Sequence, residues 1–341
     1  MTIITIGIDL AKNIFAVHGV NETGRAELVK PKVSRDQLLP LIANLPPCLI
    51  GMEACSGAHH WARLFRVHGH TIKLMAPKFV TPYRMSGKRG KNDAQDAAAI
   101  CEAVTRATMR FVPIKEEHQQ IILCLHRTRQ GFVEERTATY NRLRGLISEF
   151  GIVLPQKVTC LRQSINAHLE NLPGYSMQCI SDLLAHADQL DARIADYDKA
   201  IAKAAREDAR SKRLMERPGI GPITASALLA SIGNGHDFKN GRQVAAWIGL
   251  TPGQHSSGGK ARLGHITKAG DSYLRSLLVM GARAVLNSIG DKQDYFSCWA
   301  RNLVARRGYW RAVVAIAAKN ARVSWAVLKY GEDFRLNKSA A

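Results

Sequence analysis

Four acidic residues carry the chemistry that this chain advertises first: Asp9 in IGIDLAK, Glu53 in IGMEACSG, and Asp93 and Asp96 in KNDAQDAA. Carboxylates offer oxygen ligands only, the donor set of a hard cation such as magnesium, which takes octahedral geometry and keeps some of its waters. One or two such ions held among four carboxylates stabilise the attacking and leaving oxygens of a phosphodiester displacement. Each acid also has a plainer reading. Asp9 suits a turn at a strand end, and Asp93 suits a helix N-cap. Taken together the plainer reading weakens, because a carboxylate that closes a buried apolar run costs desolvation unless a cation compensates it.

The elements that must position these acids are legible in the same stretch. ITIGID and CLIGME are short apolar runs that read as buried strands, so Asp9 and Glu53 fall at strand ends. NDAQDAAAICEAV is alanine-rich and reads as a helix, on which acids three apart share a face. Strands are expected near 3–9, 13–20, 26–31, 48–53 and 70–76, with a hairpin turn at NETGR. Helices are expected near 34–44 and 57–68 and from 93 onward. Three strands followed by alternating helices and strands imply an α/β mixed sheet with helices on both faces.

From about 114 to 213 the pattern is helical and charge-dense. Ile180, Leu183, Ala187, Leu190, Ile194, Tyr197, Ile201 and Ala204 follow at steps of three and four, the period of a coiled-coil seam, and a helix near 116–150 is a candidate partner. A coiled coil is expected to bring chains together; an ordinary helical bundle is the alternative. Further on, PGIGP between helical runs predicts a helix–tight-turn–helix unit, in which Gly219 and Gly221 either expose amides to a phosphate or simply let two helices pack. Helices are expected near 240–248, 270–288 and 309–330, giving an all-α third region.

Two loops are candidates for nucleic-acid contact. RMSGKRGKN, just before the acidic pair, carries Arg84, Lys88, Arg89 and Lys91, which can meet a phosphate backbone or be an ordinary surface loop. QHSSGGKARLGHITKAG has no aliphatic cluster to bury, yet holds Ser256, Ser257, His255, His265, Lys260, Arg262 and Lys268. A serine there can attack phosphorus if a base or metal takes its proton and cations hold the developing charge. A plain flexible loop is the alternative that chemistry alone leaves standing.

Composition narrows the partners. The 341 residues carry 48 Lys and Arg against 28 Asp and Glu, a formal net charge of +20. Residues 1–110 hold 15 against 8, residues 111–215 hold 15 against 13, and residues 216–341 hold 18 against 7, so the excess sits at the two ends. A polyanion is the expected partner. Seven scattered cysteines without a CxxC pair argue against a zinc ribbon or a disulfide framework and for a reducing, cytoplasmic setting. A mean hydropathy of −0.14 and the lack of a long apolar run or a leader pattern predict no membrane role.

GIDLAK, GMEACSG and KNDAQDA, followed by PGIGPITA, AAWIGLTPGQHSSGG and ITKAGDSYLRSLL, resemble the DEDD transposases of bacterial insertion sequences, the "one-ten" family with its "eleven-eleven" subgroup. The resemblance is most specific in residues 4–12, 50–57, 90–97 and 217–275. It implies a ribonuclease-H-like (RuvC-like) catalytic domain over 1–110, a helical coiled-coil region over 111–215 and a C-terminal transposase domain over 216–335 with a helix-hairpin-helix-like element. It further implies that Asp9, Glu53, Asp93 and Asp96 form a magnesium-binding tetrad and that the serine loop supplies a nucleophile, matching Ser257 best with Ser256 adjacent. The departures at Gly259 and Lys260, where serines are frequent, leave the neighbouring roles open. Donor and target DNA cut and rejoined through a phosphoserine intermediate and a Holliday-junction-like state, a guiding bridge RNA, and a homo-oligomer are what the resemblance implies for activity and partners. The rivals are a junction-resolving nuclease that uses water, an ATPase of the actin-like fold, and a non-catalytic DNA-bridging protein.

Overall fold

A computed structural model describes residues 2–84, 93–256, 258–260 and 262–331. The chain divides into two compact units, residues 1–116 and 117–341. The first unit runs β1 (Thr5–Asp9), β2 (Ile14–Val20), β3 (Ala26–Ser34), α1 (Arg35–Ala43), β4 (Leu49–Glu53), α2 (Ala58–Val67), β5 (Thr71–Met75), α3 (Pro77–Val80), α4 (Asp93–Val104) and β6 (Phe111–Val112). These form one six-stranded mixed sheet in the order β3-β2-β1-β4-β5-β6. The first three strands are antiparallel, β4 and β5 run parallel to β1, and β6 closes the edge antiparallel. The expected strands and helices all form; the two-residue β6 and the four-residue α3 are too short to leave a periodic trace.

Alternation along the strands decides which helix covers which face. Ile6, Ile8, Ile50 and Met52 are fully buried and pack with Leu38 and Ile42 of α1 and with Trp61, Ala62 and Phe65 of α2. Gly7 and Gly51 point the other way and are register partners across β1 and β4. They make a side-chain-free trough against which α4 lies. A Cβ on Gly7 would stand 2.1 Å from the Ala97 carbonyl oxygen, and one on Gly51 would stand 2.7 Å from Val104 Cβ. Asp9 and Glu53, two residues on from these glycines, share their face and sit at the C-terminal ends of adjacent parallel strands. That edge is where open α/β sheets usually place ligands.

The second unit is helical apart from one hairpin: α5 (Glu117–Ser148), α6 (Val158–His168), α7 (Tyr175–Glu207), α8 (Ala209–Met215), α9 (Pro222–Ile232), α10 (Gly241–Trp247), β7 (Pro252–Gln254), β8 (Leu263–Ile266), α11 (Ser272–Ser288), α12 (Tyr295–Arg307) and α13 (Tyr309–Tyr330). Ile180, Ala187, Leu190, Ile194 and Ile201 of the expected seam are buried, while Ala205 replaces Ala204 at its end. Arg129 pairs with Asp198 and Arg136 with Asp191 at 2.7 Å, a descending order that makes α5 and α7 antiparallel. The seam is thus covered by a helix of the same chain. α9 is buried around almost its whole circumference and packs in the second core, as its small and apolar residues, with no charge among them, allow. The serine loop emerges from a two-stranded hairpin, β7 with β8, rather than from irregular backbone alone. α12 is a further helix that the sequence reading did not place, although Phe296, Ala300 and Leu303 recur at helical spacing on its buried face.

His126, 1% exposed, ties three helices of this unit together: Nε2 is 2.9 Å from Ser226 Oγ and Nδ1 is 3.0 Å from Tyr273 Oη. Both partners are hydroxyls able to donate or accept, so a neutral imidazole is satisfied there. Burial, with Arg129 adding to it, pushes its pKa down to about 4. Between that value and the unfolded value of 6.5 the unfolded chain binds the extra proton. Stability is therefore present above about pH 6.5 and is lost as pH falls toward 4. The expected loss between pH 7 and pH 5 is roughly 2 kcal/mol. Denaturant unfolding at the two pH values should show this increment in the wild type and its absence in His126→Gln.

Candidate active site

β1 delivers Asp9, β4 delivers Glu53 and the first turn of α4 delivers Asp93 and Asp96. One oxygen each from Asp9, Asp93 and Asp96 lies within 4.8 Å of the other two. Glu53 is joined to this cluster through Arg84, whose guanidinium reaches Glu53 Oε1 at 3.0 Å and Asp96 Oδ1 at 2.9 Å. Asp96 is buried at 6% exposure, Glu53 and Asp9 are half-buried, and Asp93 is exposed. Like-charged carboxylates this close, partly out of water, repel one another unless a cation lies among them. Arg84 is that cation, fixed beside two of the four. An oxygen-only donor set with a positive group drawn into it fits a hard divalent ion.

The trough formed by Gly7 and Gly51 is what brings the two acids of α4 to the two acids of the sheet. Sequence reasoning singled out the acids but not these glycines, although each stands two residues before its acid. It also placed Arg84 among loop residues facing a phosphate backbone; the structure turns it toward the carboxylates. Nothing in the sequence distinguishes it from the lysines and arginine that follow. Lys88, Arg89 and Lys91 lie outside the described residues.

In the second unit, Ser256 is fastened at the neck of the hairpin. Its Oγ accepts from Gln254 Nε2 at 2.8 Å and from the Arg262 amide at 3.3 Å, while the His255 amide donates to the Arg262 carbonyl. Ser257 lies outside the described residues. Lys260, Arg262 and Lys268 are exposed on the same hairpin and its exit. Lys268 adopts φ 52°, the sole left-handed non-glycine among the described residues. The PGIGP turn joins α8 to α9 and uses its two glycines differently. Gly219, at φ +85°, packs against Gly281 of α11, where a Cβ on Gly281 would come 2.0 Å from the Gly219 oxygen; Gly221 faces open space.

A cluster of acids at the C-terminal edge of a mixed sheet, completed by the first turn of a helix laid across it, defines a DEDD nuclease-like domain, and with it a class that uses divalent metal. A family model for DEDD transposases of the IS110 type matches residues 6–152, and that of the transposase IS116/IS110/IS902 family matches residues 211–296. Three relatives align along nearly the whole chain. A probable family 20 transposase of Pseudomonas aeruginosa is 44% identical over 98% of this chain and 99% of its own length. A putative transposase of Sinorhizobium fredii is 42% identical over 98% and 86%. The transposase for insertion sequence element IS1111A of Coxiella burnetii is 38% identical over 97% and 91%. The chain belongs to the IS116/IS110/IS902 family of insertion-sequence transposases, enzymes that cut and rejoin DNA. Among the described residues no helix is long and apolar enough to cross a membrane.

Proposed function

We propose that this transposase cuts donor and target DNA through a covalent phosphoserine intermediate, with Asp9, Glu53, Asp93 and Asp96 holding one or two magnesium ions and Ser257 acting as the nucleophile. The observation that carries this reading is the convergence of Asp9, Asp93 and Asp96 with Glu53 tied in through Arg84. Magnesium bound there supplies Lewis-acid stabilisation of the charge that builds on the phosphate oxygens. In the chemical step Ser257 Oγ forms a bond to phosphorus as the bond from phosphorus to the departing DNA oxygen breaks. The serine proton passes to a base, and the departing oxygen is protonated in return. Attack by a new DNA hydroxyl on the phosphoserine reverses these steps and rejoins the strand. The two hydrogen bonds that Ser256 Oγ accepts engage both of its lone pairs in the hairpin neck, which disfavours Ser256 as the nucleophile and supports the choice of Ser257.

Exchange through a Holliday-junction-like state, pairing of donor and target by a bridge RNA, and assembly of more than one chain complete the proposal. The resemblance of the chain supports them, and the net charge of +20 suits two polyanionic partners. The deciding experiment incubates labelled element DNA with protein, magnesium and co-expressed element RNA, and resolves the products on denaturing protein gels. Label attached covalently to the wild type and absent from Ser257→Ala is expected. Free cut ends without an adduct, unchanged in the serine variant, would assign the chemistry to water.

Arg84 competes with a metal for Glu53 and Asp96. Its removal costs the carboxylates their resident counter-charge, so Arg84→Ala should bind manganese or magnesium roughly tenfold more tightly, a charged hydrogen-bonded pair being worth about 1.5–3 kcal/mol. Calorimetric titration of the DNA-free protein checks this; weaker binding in the variant would make Arg84 an organiser of the ligands rather than a competitor.

A further inference from the structure

A groove of about 1290 Å³ in the second unit adjoins the β7–β8 hairpin but is built mainly by helices that no site described above includes. Its floor is one face of α13, where Val314, Ala315 and Ala318 keep the helix surface low, and Arg311 and Arg322 stand at the two ends of that face. Eleven residues of helix separate these arginines by roughly 16 Å. Arg242 of α10 and Lys268 add positive charge, and no described Asp or Glu lines the groove. Its walls include two tryptophans, Trp299 of α12 and Trp310 of α13. Trp310 is 65% exposed, as is Leu263 at 68% on the hairpin wall, so the groove presents apolar area to water that a partner of matching chemistry would cover. Each ring is steadied by a cation: Lys319 Nζ lies 4.1 Å from the Trp299 centroid, and the Arg283 guanidinium lies 5.6 Å from that of Trp310.

We propose that this groove binds an unpaired DNA strand, a base stacking on the exposed Trp310 while Trp299, already stacked on Phe296, forms the wall behind it, and its phosphates meeting Arg242, Lys268, Arg311 and Arg322. Planar rings beside flanking cations are how proteins hold single strands, because every base offers a face for stacking while the backbone needs only charge. A duplex hides those faces in its own stack. The volume exceeds the roughly 300–1,000 Å³ typical of small-molecule pockets and suits an extended ligand. The occupant is DNA rather than RNA because one wall of the groove is the β7–β8 hairpin from which the serine loop emerges. A strand in the groove therefore lies beside that loop. This choice of occupant rests on the function proposed above; strand binding itself does not.

The test uses the full chain without divalent ions, so that nothing is cut and failure of binding stays distinct from failure of the recombinase reading. Oligothymidylate, oligouridylate and a short duplex are titrated by fluorescence anisotropy, together with tryptophan emission. Oligothymidylate should quench the emission. Trp310→Ala should weaken oligothymidylate binding roughly 5- to 150-fold and leave the duplex unchanged, while Trp299→Phe, which keeps a ring, loses less. The pair Arg311→Gln with Arg322→Gln should lower the slope of log affinity against log salt by roughly 1.4. Oligothymidylate binding unaffected by Trp310→Ala, or an equal loss for duplex and single strand, would overturn the proposal. Trp310-dependent preference for oligouridylate would overturn the DNA assignment. Loss of self-association in Trp310→Ala by light scattering would give the groove to a second copy of the chain and overturn it as well.

Discussion

Asp96→Asn leaves the first unit folded and abolishes DNA cleavage, with an expected loss of roughly 10²–10³-fold or more, the range seen when one preorganised electrostatic group is removed from a reacting phosphate or carbonyl site. Asparagine is nearly isosteric, and its amide oxygen can stand where Asp96 Oδ1 stands, 2.9 Å from Arg84 Nε. What it lacks is the charge. The side chain lies buried in the first turn of α4 beside Asp9 and Asp93, so the change removes one of three converging carboxylates without opening a cavity. Repulsion inside the cluster falls at the same time, so the melting temperature of the metal-free protein should stay level or rise. Divalent-ion affinity should drop by at least roughly tenfold. Glu102→Gln on the same helix is the control: Glu102 forms an exposed pair with Arg106, and such pairs are worth little. Full cleavage by Asp96→Asn would remove α4 from the active site.

The second large effect is structural in origin. Gly7→Ala should lower the melting temperature of the first unit by at least roughly 10 °C, corresponding to the upper end of the 1–3 kcal/mol usual for overpacking. The new Cβ would stand 2.1 Å from the Ala97 carbonyl oxygen and 2.4 Å from the Cys101 amide nitrogen. Both are backbone atoms of a buried helix, which cannot swing aside as a side chain can. α4 must lift from the sheet, and Asp93 and Asp96 must leave Asp9. Metal affinity is therefore expected to fall even at temperatures where the variant remains folded. Gly19→Ala meets only side-chain atoms of Ile3 and Leu28 at 3.2 Å and should be tolerated. A Gly7→Ala protein with wild-type melting and wild-type metal titration would show that α4 is not clamped by the trough.

The chain by itself determined the elements and the residue types. Apolar runs ending in Asp9 and Glu53 read as strands because short apolar runs rich in branched side chains favour extended backbone, and β1 and β4 form where ITIGID and LIGME stand. NDAQDAAAICEAV is a helix from Asp93 by the same local reasoning. The 3.5-residue seam of α7 was legible too, as was a candidate partner in a helix near 116–150; whether the seam joins chains or is covered from within one was not, since periodicity states that a face needs a partner and not which partner. Local signals failed where elements are short, as with β6 and the β7–β8 hairpin.

The site itself was decided only in three dimensions. The meeting of Asp9 with Asp93 and Asp96, and the placing of Glu53 beside them, depends on Gly7 and Gly51 becoming register partners, and register between strands more than forty residues apart is a property of the whole sheet. Arg84 reads in sequence as one cation among several in a basic loop, and the fold alone turns it to Glu53 and Asp96. Trp299, Trp310 and Arg242 come from three different helices to line one groove. In each case the reason is the same: propensity and period act over a few neighbouring residues, whereas convergence of side chains is fixed by packing between segments that the sequence holds far apart.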